Sequence, residues 1–339
     1  MTQLRQLIRH LEQVAPPVYQ ESYDNAGLIT GNPDQEVTGV LVCLDSTEAV
    51  IREAAAEGCN VVVAHHPIIF KGLKRLTGQT YVERTVIEAI RHGIAVYAIH
   101  TNLDNVYHQG VNSRIAEKLG LINTRILAPK KELFKLNAVL SENGNGALQE
   151  MLAQAGAVNA GFLNHYSGEP QLTRVEAYFE KAALRNISSV LEQYAAAPGS
   201  WDIHPVDTPS PMIGSGMVGE LAAEMSENDF LAHLKTRMLA GCVRHTKLLD
   251  KPVKRVAVCG GSGGFLLGSA IAGGADFFVT ADYKYHEFFD ADGKIVIADI
   301  GHYESEQFTI ELLGEIIRRN FSNFAVRLTK TITNPVFYF

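Results

Sequence analysis

Apolar positions recur at helical spacing at the start of the chain, with Leu4, Leu7, Ile8 and Leu11 on one face, and Pro16-Pro17 then stops the helix. Beyond it the pattern changes to short continuous apolar runs, Val40 to Leu44, Val61 to Ala64 and Ala95 to Ile99, with helix-like stretches at 47–57, 81–92 and 110–119 between them. Strands buried on both faces and alternating with helices predict an α/β layered sheet. The alternation returns late, in KRVAVCGG (254–261), ADFFVTAD (275–282) and KIVIADIG (294–301), with apolar helical stretches at 264–272 and 306–319. VLVCLD is echoed by VAVCGG, GCNVVVAHHP by GADFFVTADY, and HGIAVYAIHTNLD by DGKIVIADIGHYESE. This is a weak internal repeat; the general likeness of any two α/β segments is the competing explanation.

From about Pro129 to Pro211 the pattern differs: strand (Phe134 to Leu140), helix (Gly146 to Ala155), strands (Gly161 to Tyr166 and Thr173 to Glu180), helix (Ala183 to Ala195) and strand (Trp201 to Asp207). That β-α-β-β-α-β order is the ferredoxin-like one. The expected division is therefore an α/β body from 1–128 and 212–339, interrupted by an inserted α+β domain at 129–211.

Composition narrows the functional classes. A chain of 339 residues suggests about two domains, and 46% hydrophobic with 20% charged residues is ordinary for a globular protein. The formal charge of -7 argues against a nucleic-acid binder, though not against a nucleotide-sized ligand. No apolar run approaches a membrane span and the first residues have no signal-peptide core, so a cytoplasmic protein is expected. Cys43, Cys59, Cys242 and Cys259 contain no CxxC pair and read as reduced thiols.

Chemistry concentrates at strand ends. His65 and His66 leave a buried-looking strand and precede Pro67, so the chain is expected to turn there and let both imidazoles serve one site. The next strand ends in His100-Thr101-Asn102-Leu103-Asp104, placing an imidazole and a carboxylate at the edge where open α/β sheets bind ligands. In Gly301-His302-Tyr303-Glu304-Ser305-Glu306, one helical turn would put His302 and Glu306 on the same face, with Glu304 elsewhere. Taken alone, each motif has an ordinary structural explanation. Together His65, His66, Asp104, His302 and Glu306 form a mixed nitrogen and oxygen donor set suited to zinc, iron, manganese, cobalt or nickel. Five ligands exceed what one catalytic zinc takes, and a pair of divalent transition-metal ions sharing a carboxylate uses them better. CGGSGG (259–264) fails the Walker and GxGxxG patterns and is read as close strand-helix packing, with contact of its backbone N–H groups to an anion as the alternative. Asp282 and His286 follow another strand end, where His286 is a candidate catalytic proton donor, an outer partner of the ligands, or simply a surface histidine.

YDNAGL (23–28), AHHPIIF (64–70), HTNLD (100–104), VAVCGGSGG (256–264), TADYKYHEF (280–288) and GHYESE (301–306) resemble, in order, the motifs of the Nif-three-like dinuclear metal-centre family. This is the YbgI and YqfO group, the GTP cyclohydrolase 1 type 2 homologs. The resemblance covers about 1–128 and 212–339. It implies two similar α/β lobes around a metal cleft, with His65, His66, Asp104, His302 and Glu306 holding two metal ions per chain and Glu306 bridging them. It also implies a homo-oligomer, a toroidal hexamer built from dimers, and an insert resembling PII and CutA proteins. This insert departs from that pattern, carrying WDIHPVDTP where an HPYEEPAY-like run is expected. The function expected is a metal-dependent hydrolase using metal-activated water on a nucleotide-like or other small phosphorylated or cyclic-amide substrate. GTP cyclohydrolase ring opening is the specific alternative, and a non-enzymatic assembly or metal-insertion scaffold the alternative from another class.

Overall fold

The computed structural model describes residues 2–141, 145–164, 172–194 and 200–339. The chain divides into two compact units, Met1–Ala128 with Gly214–Phe339, and Pro129–Ile213.

The larger unit is built on two sheets. In the first, the strands lie in the order Gly27–Thr30, Ala95–Ala98, Val61–His66, Gly39–Asp45, Ala325–Leu328. The last four run parallel, and Gly27–Thr30 is an antiparallel edge. Burial of nearly every residue in the three central strands explains their unbroken apolar runs. Helices Glu48–Ala56 and Tyr81–Arg91 start at Thr47 and Thr80, whose hydroxyls accept from the backbone N–H groups of Val50 and Glu83. Val50, Ile51, Ala54 and Ala89 from these helices close a core with Leu41, Cys43, Val62 and Val96.

The second sheet has the order Arg244–His245, Val296–Asp299, Phe277–Ala281, Val253–Ser262, Gly214–Met225, Leu121–Pro129. Its three strands from Val253, Phe277 and Val296 are parallel, with an antiparallel strand beside the third. The first sheet's strands from Gly39, Val61 and Ala95 stand in the same relation, so the echoed segments occupy equivalent places in two α/β lobes. Alternation predicted neither the long strand Gly214–Met225 nor Ala325–Leu328, which returns to the first lobe's sheet.

Pro129–Ile213 forms a four-stranded antiparallel sheet in the order Ala157–Asn164, Leu172–Glu180, Leu133–Ser141, Trp201–Pro205, the ferredoxin-like arrangement. Its helices are Asn145–Gln154 and Leu184–Tyr194, and it has its own core around Leu136, Val175, Phe179, Ile187 and Leu191. The expected element ends at Tyr166 and Ala195 lie outside the described residues. Among the described residues, no helix is long and apolar enough to cross a membrane.

Candidate metal centre

The parallel strands of both lobes deliver their polar residues at their C-terminal ends. The ladder of the first lobe runs past Ala64 to an Asp45–His66 pair, so His65 and His66 are the last two residues of a regular strand rather than the start of a turn. They still serve one site because each ring is tied to a different neighbouring strand. His65 Nδ1–H donates to Ile99 O (2.9 Å) on one side, and His66 Nδ1–H donates to Asp45 Oδ1 (2.7 Å) on the other. Their ring centroids end 4.9 Å apart.

His302 and Glu306 come from the five-residue helix His302–Glu306, which starts at Gly301. His302 Nδ1–H donates to Asp282 Oδ2 (2.7 Å). Asp282 follows directly on the strand Phe277–Ala281 with φ of 60°, a left-handed conformation that Asp tolerates better than most residues and that turns its carboxylate to the histidine. His100 Nδ1–H donates to Asp24 Oδ1 (2.8 Å), while Thr101 N–H and its hydroxyl bind the other Asp24 oxygen.

All four imidazoles thus spend Nδ1–H on an acceptor, which leaves each Nε2 as the nitrogen available to a ligand. Glu306 lies among these nitrogens, almost wholly buried. Its Oε2 is 2.9 Å from His66 Nε2 and 3.1 Å from His302 Nε2, and its Oε1 is 3.8 Å from His65 Nε2. His65 Nε2 is also 3.6 Å from Asp104 Oδ1. Donor atoms therefore gather as His66-His302-Glu306, His65-Asp104-Glu306 and His65-His66-His100, each set within 4.8 Å.

A metal fits this donor set on direct grounds. His65 Nε2 and Asp104 Oδ1 are buried and have no hydrogen-bond partner, a costly condition that a cation relieves. The charges agree. Burial works to raise the Glu306 carboxyl, but the His302 charge and hydrogen bonds with His302 and His66 hold it well below the usual carboxylate range. Burial and then the Glu306 charge push Asp104 up. Burial opposes charge on His66, yet Asp45 and Glu306 raise it to about 9, and Glu306 with Asp282 raises His302 to about 11. Protons on these imidazoles balance the carboxylates where a divalent ion would otherwise do so.

The glycines of CGGSGG have a specific use here. Gly261 has φ of 61°, and a Cβ on it would lie 2.6 Å from Glu306 Oε1 and 3.1 Å from His302 Cε1. Only a residue without a side chain lets this loop lie against the carboxylate. Around the centre opens a cavity of about 710 Å³, whose lining includes Tyr23, Phe70, His100, Asn112, Arg244 and Phe265.

The five residues expected from sequence as ligands come together. His286 does not join them: it sits exposed on a short turn against Tyr285 and Phe289, outside the cavity lining. Glu304 accepts from Asn334 Nδ2 (3.0 Å) and stands apart from the imidazoles. Sequence reasoning left out Asp24, Asp45 and the pairing of Asp282 with His302. Asp24 lies in the YDNAGL motif, but its bond to His100 spans 76 positions and has no local signature.

Residues 2–335 match the family model Duf34/NIF3 (NGG1p interacting factor 3). A Staphylococcus aureus protein called GTP cyclohydrolase 1 type 2 homolog is 30% identical, with 98% of each chain covered. A Bacillus subtilis protein of the same name is 31% identical over 98% of this chain and 97% of that one. The crystal structure of a Bacillus cereus protein related to NIF3 superposes with a TM-score of 0.84 at 30% identity, covering 100% of this chain and 99% of the other. Reduced HcgD from Methanocaldococcus jannaschii shares the fold at a TM-score of 0.62 and 20% identity. With a family model spanning nearly its whole length and relatives alike from end to end, this chain belongs to the Duf34/NIF3 family.

Proposed function

We propose that the chain is a dinuclear metal-dependent hydrolase acting on a small phosphorylated, nucleotide-like or cyclic-amide substrate. The observation that carries this reading is the pair of donor sets on the two oxygens of Glu306, His66 with His302 on Oε2 and His65 with Asp104 on Oε1. Two divalent ions held there would supply a water of lowered pKa and positive charge opposite a developing oxyanion. Asp45, Asp282 and the Ile99 carbonyl orient the imidazoles for that task.

The chain's own groups account for the remaining steps. His100, fixed by Asp24 and lining the cavity, presents Nε2 beside His65 and His66 and is the group we assign to proton transfer. Arg244 lines the same cavity; its Nη2 is held by Asp299 and the Tyr283 carbonyl, and the remaining N–H groups of its guanidinium are the ones we assign to an anionic substrate group. A cavity of about 710 Å³, large enough for a small molecule, supports turnover over mere metal storage. Ring-opening hydrolysis of GTP is one reaction within this class, and the relatives are named as homologs of a GTP cyclohydrolase. Assembly as a homohexamer is part of the proposal, with a solution mass as its readout.

The test is a screen of metal-verified protein against nucleotides, phosphodiesters and GTP. The expected result is turnover that disappears on chelation and in His65→Ala. Fully loaded protein that turns over none of these would instead favour the metal-insertion scaffold.

A further inference from the structure

The segment 329–339 has no regular secondary structure, yet its side chains are bonded to one carboxylate after another. Thr329, Thr331 and Thr333 alternate, and in an extended chain alternate side chains share a face. Thr329 Oγ1 and Thr331 Oγ1 donate to Glu53 Oε2 at 2.6 and 2.7 Å, and Lys330 N–H donates to Glu53 Oε1 at 2.7 Å. Thr333 Oγ1 then donates to Asp45 Oδ2 at 2.6 Å, and Asn334 Nδ2 reaches Glu304. Asn334, Pro335, Val336 and Tyr338 continue as a wall of the metal cavity.

Asp45 is the point at which this segment meets the centre. One of its oxygens receives His66 Nδ1–H and the other receives Thr333. Asp45 is the last residue of its strand and is partly exposed, so a single bond to a histidine would leave its carboxylate free to turn. Two bonds in different directions fix the plane of the carboxylate, and with it the plane of the His66 ring.

We propose that Thr333 is a positioning residue of the metal centre, its hydroxyl orienting Asp45 so that Asp45 holds the His66 ring with Nε2 toward Glu306. This rests on the metal-binding reading of the site and is independent of whether hydrolysis follows. Outer partners of a ligating histidine carry about 10–100-fold in metal affinity, and Thr333, one bond further out, should carry about tenfold.

The test is zinc affinity of the full chain, measured in competition with a chelator, for wild type, Thr333→Val and Thr333→Ser. Valine keeps the shape and removes the donor; serine restores the donor on a smaller side chain. The expected result is about tenfold weaker binding in Thr333→Val, recovery in Thr333→Ser, and a moved His66 ring-nitrogen signal in the valine variant alone. Equal affinity in all three, or a serine variant as weak as valine, overturns the assignment. Should the valine variant fail to fold, hydrogen exchange on wild type decides: zinc should slow the amides of 331–334 and of Val336, and unchanged exchange overturns the assignment. Wild type that binds no zinc would remove the metal reading with it, whereas zinc bound equally by wild type and variant removes only the role of Thr333.

Discussion

Glu306→Gln is the most informative substitution, because glutamine keeps the shape of the side chain and removes its charge. The Glu306 carboxylate is 2.9 Å from His66 Nε2 and 3.1 Å from His302 Nε2, both nitrogens on rings with raised pKa. Opposite charges about 3 Å apart attract by about 5 kcal/mol at an effective dielectric of about 20. Desolvation offsets much of that, and removing one partner of a buried pair costs about 3–5 kcal/mol. His302 is partly exposed and counts for less, so about 3 kcal/mol is expected. The two imidazoles have folded pKa values above their unfolded ones, so their contribution is complete below about pH 6.5 and is lost as pH rises through about 9 for His66. Urea unfolding of chelated protein should therefore show wild type about 3 kcal/mol more stable than Glu306→Gln at pH 6, with the gap narrowing by pH 9.5. Elemental analysis after reconstitution should show the variant holding less metal than wild type. Equal stability at pH 6 together with equal metal content would refute the role given to Glu306.

Because ligation needs neutral imidazoles, metal binding should release protons from His66 and His302, and affinity should rise between pH 6.5 and 8.5; calorimetry in buffers of different ionisation enthalpy checks this, and a pH-independent affinity would contradict it. Gly261→Ala places a Cβ against Glu306 and adds strain at φ of 61°, so metal affinity should fall by at least tenfold with every ligand still present; unchanged affinity in a chelator competition would count against the packing described. His100→Ala should lower turnover by about 10²–10⁴-fold, whereas His286→Ala should leave metal content and turnover near wild type, since His286 is outside the cavity; a strong loss in His286→Ala would bring that residue into the mechanism from another chain. Replacing 130–212 with a short Gly/Ser linker should leave metal content unchanged, because Lys130 N–H donates to Ile213 O (2.9 Å), bringing the ends of the segment together; insoluble or metal-free protein would show that the segment completes another core.

The central strands were legible because burial on both faces forces uninterrupted apolar runs, and the five candidate ligands because they lie in short polar motifs at the ends of those runs or in the helical turn that follows. What could not be read was made by distant pairing. Ala325–Leu328 is short and alternates exposed with partly buried residues, so nothing local assigns it to the first sheet. Asp24 and Asp45 act through His100 and His66, and a lone aspartate at a turn or strand end has the same appearance whether or not a histidine lies opposite. His286 illustrates the converse. It stands in a motif beside a strand end, but after the left-handed turn at Asp282 the chain carries it to the surface while Asp282 stays at the centre. The glycines of CGGSGG are used for close packing as expected, although against a carboxylate of the centre as well as the neighbouring helix.

Anomalous diffraction from crystals of zinc-reconstituted protein tests the central claim most directly. Two peaks are predicted on opposite sides of the Glu306 carboxylate, one against His66 and His302 and the other against His65 and Asp104. A single peak, or peaks away from Glu306, would contradict it.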